Sequence, residues 1–272
     1  MNLMWAKMPN RWVMGGGLAG FSDRNGAGKL DVTHLNSSIA ALKVYLAVCT
    51  RAKYETGIAR TTYPELSELV GMSRSVIARS LRILEAHQLL RRDSPNSRAG
   101  SIIYVTRWLE DKGFAKIPKS WLYHGRGAGE ERAPKPEQRL VKLNAFKFHK
   151  RISLQALKAY IALIAMRSKD GKDGHGLTVI SYDRISDLTG IPRHSVSMAV
   201  TLLLEMNLIS FRPGSYSEGD GQDFDRTNRY LIKGLNLRFR ALEDETQVAK
   251  VRVGKVSGEA VAAELTFMSQ TR

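Results

Sequence analysis

Apolar and polar positions alternate with a helical period in two stretches that resemble one another. Ile39, Leu42, Leu46 and Cys49 fall on one stripe with Tyr45 beside them, and Leu154, Leu157, Ile161 and Ile164 form the matching stripe further along. Each stripe predicts a first helix packed on a core, with Ser153 as the expected N-cap of the second. A short extended piece follows in each, 58–61 and 177–180. A second helix then opens at Thr62-Tyr63-Pro64-Glu65, a Thr-x-x-Glu capping box, or at Ser181. Gly71 and Gly190 end these helices, because glycine accepts the left-handed turn a helix C-terminus requires. A third helix starts at Ser73 in one stretch and at Pro192 in the other, with inward faces Ile77, Leu81, Leu84 and Val196, Val200, Leu203. A hairpin closes each series, from Arg91-Arg92 through 94–97 to Ser101–Val105, and from 209 through a long tip at 213–227 to 229–232.

The correspondence is literal enough to be a duplication. Ala6-Lys7-Met8-Pro9-Asn10-Arg11-Trp12 returns as Ala115-Lys116-Ile117-Pro118-Lys119-Ser120-Trp121, in the same order relative to the helices that follow. A period this long predicts two copies of a domain rather than a solenoid. The chain divides accordingly into an N-terminal segment (1–36), a first domain (37–109), a linker carrying the second Trp motif (110–151), a second domain (152–236) and a tail (237–272). Trp12 and Trp121, at matching positions, are expected to anchor their segments to the core. Glycines and prolines between Gly125 and Pro136 predict a flexible middle to the linker.

Helix, strand, helix, turn, helix, hairpin is the winged-helix order, and Gly71-Met72-Ser73-Arg74-Ser75-Val76-Ile77-Ala78-Arg79-Ser80-Leu81 resembles the turn and recognition helix of that family. The Ala-Lys-x-Pro-x-x-Trp segment ahead of an alanine-rich helix is similar to winged-helix domains of plasmid and mobile-element replication proteins. The resemblance implies an α+β fold, mostly helical, built of two tandem winged-helix domains, and a function in binding DNA.

Charge agrees with that expectation. Lys and Arg number 42 against 26 Asp and Glu in 272 residues, a formal +16, and so basic a chain calls for an anionic partner. In a helix-turn-helix the residues opposite the buried stripe face the major groove. In the first copy these are Arg74, Ser75, Ala78, Arg79 and Arg82, arginines suited to guanine with small residues permitting close approach. In the second they are Arg193, His194, Ser197, Met198 and Thr201. Wings hold phosphates or the minor groove, which adds Arg91, Arg92 and the tip residue Arg98. The second wing mixes Arg212, Arg226 and Arg229 with Glu218, Asp220, Asp223 and Asp225. Carboxylates there would repel a phosphate backbone, so that tip is expected to swing away from DNA, to be disordered, or to meet a protein partner; self-association is open.

Other chemistries lack their residues. The single cysteine, Cys49, excludes disulfides and thiolate zinc sites, and six scattered histidines give no metal-ligand spacing. Asn25-Gly26-Ala27-Gly28-Lys29-Leu30 looks like a phosphate loop but has Asp23 and Leu30 where that loop needs Gly and Ser or Thr. No secretion signal or apolar run near the ~20 residues of a bilayer span is apparent, so the expectation is a cytoplasmic protein without membrane partners, cofactor or catalytic residues. Double-stranded DNA is the expected ligand, at a replication origin of a plasmid or mobile element. A promoter operator for a transcriptional regulator is the alternative, and a protein-binding scaffold is the reading from another class.

Overall fold

A computed structural model describes residues 4–93, 101–109, 113–123, 139–168, 176–212 and 228–235. The fold is α+β, helices with small antiparallel sheets, and residues up to Leu235 belong to one compact unit. The elements are β1 (Ala6–Pro9), α1 (Arg11–Met14), α2 (Val32–Arg51), β2 (Ile58–Thr61), α3 (Tyr63–Val70), α4 (Arg74–Ala86), β3 (Leu90–Asp93) and β4 (Ser101–Val105). The second series is β5 (Phe114–Ile117), α5 (Lys119–Tyr123), α6 (Arg151–Ala165), β6 (Thr178–Ile180), α7 (Tyr182–Thr189), α8 (Arg193–Glu205), β7 (Ile209–Arg212) and β8 (Asn228–Ile232). Short 3-10 turns at Gly17–Gly20 and Val141–Ala145 precede α2 and α6 respectively.

Local chemistry explains the boundaries. The Asp31 carboxylate caps α2, accepting from the Thr33 and His34 amides. The Thr62–Glu65 box is formed in both directions, leaving two otherwise orphaned donors satisfied. Ser73 and Ser181 cap α4 and α7. Gly71 and Gly190 end α3 and α7 at φ 65°, where any Cβ would be strained. Two details differ from the expectation. Ser153 lies inside α6, whose cap is Lys150, and its hydroxyl accepts the Lys147 amide instead. Pro192 stands at the cap position itself, one residue ahead of α8.

Each series builds a three-stranded antiparallel sheet of the same order, β2-β4-β3 and β6-β8-β7. Leu90 pairs with Val105 and Ile209 with Ile232. The core of each series lies between its sheet and its helices, and α2 and α6 at the centre are buried on nearly all sides. By length and composition α2 would suffice to cross a membrane, but 72% of the apolar window is covered by the rest of the protein.

How the two copies meet was not legible in advance. The two Ala-Lys-x-Pro motifs pair with each other, β1 antiparallel to β5, in the register Ala6 to Ile117, Lys7 to Lys116 and Met8 to Ala115. Exchanging each residue for its counterpart maps this register onto itself, so a local pseudo-twofold axis passes through the Lys7–Lys116 pair. Contacts elsewhere are reciprocal. The turn at Gly17–Gly20 rests on α7, with Ala19 against Gly190, while the Leu140 amide donates to the Leu69 carbonyl at 2.8 Å and Arg139 lies against Gly71. Helices α2 and α6 touch across the axis. The expected linker thus contributes a strand, two short helical pieces and part of the interface; its residues 110–112 and 124–138, the latter holding the expected flexible middle, lie outside the described residues.

Both tryptophans of the motif reach inward with their apolar faces. Trp12 donates to the Tyr45 hydroxyl at 3.0 Å and packs edge-on against that ring; Trp121 donates to the Asn207 carbonyl at 2.9 Å. Both pack against the core, in keeping with the expected anchoring.

Candidate nucleic-acid interface

The outward faces of α4 and α8 hold the predicted residues at matching positions. Along α4, Ile77, Leu81 and Leu84 are buried, which turns Arg74, Ser75, Arg79 and Arg82 to solvent and leaves Ala78 half-buried. Along α8, burial of Val196, Val200 and Leu203 likewise exposes Arg193, His194, Ser197, Met198 and Thr201. The repeat aligns Arg74 with Arg193, Ser75 with His194, Arg79 with Met198 and Arg82 with Thr201. Neither helix exposes a carboxylate in its first two turns. Met198 is 61% exposed, a single apolar side chain on an otherwise polar face.

Partners divide the cations into two groups. Arg74, Arg79 and Arg82 make no ion pair among the described residues. Ser75 shares a 3.0 Å hydrogen bond with Ser73 at the cap. Arg193 reaches back to Asp183, Nε to Oδ1 2.6 Å, and lies over the Tyr182 ring. Both partners of that pair are more than half exposed, so the bond is weak and exchangeable. Arg91 is exposed on β3, its guanidinium 4.7 Å from the Tyr104 ring centroid.

Arg92 differs. Its guanidinium grips the Glu85 carboxylate from Nε (2.8 Å) and Nη2, donates to the Tyr63 hydroxyl at 2.8 Å, and its backbone amide also donates to Glu85. This pairing holds the Glu85 carboxyl below its ordinary range. Arg92 therefore ties β3 to α4 and α3, a use of its charge that the sequence expectation of a phosphate contact did not include. The signal was present, since Glu85 ends the otherwise acid-free face of α4. Arg98, Arg226 and the acidic tip residues lie outside the described residues, as does the side chain of Arg212; Arg229 is exposed on β8.

Two functional candidates were missed. Lys43 and Lys158 occupy the same position in the two central helices and are 3% and 5% exposed. Burial pulls each ammonium down to about 8. Lys43 donates to the Phe146 carbonyl at 2.7 Å and lies over the Phe148 ring, whereas Lys158 makes no hydrogen bond among the described residues. The signal was a lysine retained inside both apolar stripes. Among the described residues, no three His, Cys, Asp or Glu side chains are gathered to hold a metal ion. No protein-family model matches the chain, and no curated protein matches it.

Proposed function

We propose that the chain binds double-stranded DNA sequence-specifically, as two winged-helix halves whose recognition helices are α4 and α8. The observation that carries this reading is the repeated outward face, acid-free at its start and set after a glycine turn, twice in one chain of net charge +16. Arg74, Arg79 and Arg82 read guanine edges, for which a guanidinium offers two parallel donors. Arg193 and His194 supply donors in the second half, and Met198 and Thr201 present methyl groups of the kind that meet thymine. Arg91 and the first hairpin tip hold phosphate. The halves work as a pair because β1–β5 and α2–α6 join them about the pseudo-dyad.

This role is non-catalytic, and its place is a replication origin of a plasmid or mobile element, where the similarity of the Ala-Lys-x-Pro-x-x-Trp segment points. The test is selection of bound duplexes from a random pool, followed by titration of the enriched site against a scrambled duplex at two salt concentrations. Enrichment of one motif, with affinity falling steeply as salt rises, is expected from counterion release. Salt-independent binding, or no enriched motif, would overturn the reading. Mapping the motif to an origin or to a promoter separates replication from transcriptional control.

A further inference from the structure

A cavity of about 180 Å³ opens where the first copy's N-terminal segment meets the second copy. Its walls come from residues 19 and 21–24, from α6 and from the turn Gly190-Ile191-Pro192 that leads into α8. Four charged residues line it: Lys158, Arg151, Arg24 and Asp23. Arg151 and Asp23 pair at 2.5 Å, and Arg24 donates to the Gly28 carbonyl within its own loop. The Lys158 ammonium is 4.0 Å from the point where a Cβ on Gly190 would stand. It is a desolvated cation that gains no hydrogen bond among the described residues.

The pseudo-symmetric copy shows what satisfaction looks like. Lys43 has the Phe146 carbonyl and an aromatic face at the equivalent place. Lys158 has neither of these and borders open space instead. An isolated buried charge is costly, and a chain that keeps one either loses its proton or supplies a counter-ion. Asp23 draws the ammonium toward the charged form but is already engaged by Arg151.

We propose that this cavity binds a compact phosphate-class dianion, held by the Lys158 ammonium with Arg151 and Arg24 at the mouth. Three cations against one carboxylate leave an excess of two positive charges, which a dianion balances. The volume is below the ~300–1,000 Å³ of sites for drug-sized ligands, which selects inorganic phosphate or a small phosphate ester over a nucleotide. A bound dianion would bridge the first copy's N-terminal segment to the turn before Arg193. The site does not depend on the DNA-binding reading, and the ligand its test titrates is inorganic phosphate.

The probe is inorganic phosphate added to the full chain, against chloride at matched ionic strength, read by thermal unfolding and by calorimetric titration. Stabilisation that grows with the logarithm of phosphate concentration is expected for a ligand bound only by the folded state. Lys158→Met, which fills the same space without charge, should weaken phosphate binding at least tenfold and abolish the shift, while Lys43→Met should leave phosphate affinity within twofold. Arg151→Gln, at an exposed position, gives a second route: it frees Asp23 to take Lys158 and should also weaken phosphate at least tenfold. An equal shift in chloride, or one that survives in Lys158→Met, would overturn the proposal. A DNA phosphate as the true occupant would also overturn it. In that case inorganic phosphate gives no shift and Lys158→Met lowers the salt slope of duplex binding by about one.

Discussion

Arg79 and Met198 hold equivalent places on α4 and α8, and their chemistry sets different expectations for the two halves. Arg79 sits between Ile77 and Leu81, both buried, and its side chain is fully outward with no partner among the described residues. On the proposed reading, Arg79→Ala costs ~1–3 kcal/mol on the selected site and relaxes discrimination there, while affinity for a scrambled duplex changes little. Titrating both duplexes with both proteins checks this; an unchanged affinity ratio means α4 does not read bases through this residue. The buried lysines make a separate prediction about stability. Each has a folded pKa of about 8, below its ordinary 10.5, so between those values the unfolded chain binds more protons than the folded one. Stability therefore rises with pH through that window, by up to about 3 kcal/mol for each lysine. Cys49 opposes this above about pH 9, since burial holds its thiol neutral while the unfolded thiol ionises. Urea midpoints from pH 7 to 9 should climb, and Lys158→Met should remove about half of the climb. A flat profile would mean that neither ammonium is desolvated as described.

At the level of elements, β3 is joined to α4 by a single carboxylate that receives three donors from Arg92. The pair is part-buried and forked, the geometry in which an arginine–carboxylate bond outlasts solvent competition. Arg92→Ala and Glu85→Ala should each destabilise the fold, with a coupling of about 1 kcal/mol in a double-mutant cycle. Arg92→Ala should leave the salt slope of DNA binding unchanged, whereas Arg91→Ala should reduce it by about one if Arg91 holds phosphate. Equal slopes for the two variants would refute that division of labour. Elements were the most legible scale in the sequence. The capping box at Thr62, the two glycine stops and the apolar stripes each act through neighbours within a few residues, so their order could be read directly. Ser153 misled because a serine before an apolar run resembles a cap, yet its hydroxyl accepts from the amide of Lys147, six residues upstream. The Arg92–Glu85 pair was not legible because the partner lies seven residues back on another element. The cavity beside Lys158 was invisible, since its walls come from residues more than a hundred positions apart.

Across the whole molecule, the β1–β5 register makes one chain resemble a homodimer in miniature. Antiparallel pairing about Lys7 and Lys116 reverses one copy relative to the other, and the reciprocal contacts of the two pre-helix segments keep them reversed. On the proposed reading a protein twofold is matched by a twofold in the bound DNA, so the two half-sites should run in opposite orientations, with centres ~34 Å or a multiple apart. Because Arg79 corresponds to Met198 in the repeat, the half-sites on this reading should differ, guanine serving the first copy and thymine the second, giving an imperfect inverted repeat. Joining also confers avidity, since docking one half raises the effective concentration of the other. Flipping one half-site in a synthetic duplex, spacing unchanged, should reduce binding toward the level of a single half-site. Cutting the chain at a protease site engineered within 124–138 should not do so, because β1–β5 and α2–α6 still hold the halves together. Gel filtration of the nicked protein should therefore show one species at the intact size, with duplex affinity within a few-fold of the uncut chain. If the nicked halves separated, the contacts across the pseudo-dyad would be too weak to fix the orientation of the halves. If they stayed together yet bound a direct repeat as tightly as an inverted one, α4 and α8 would not be reading DNA as a symmetric pair.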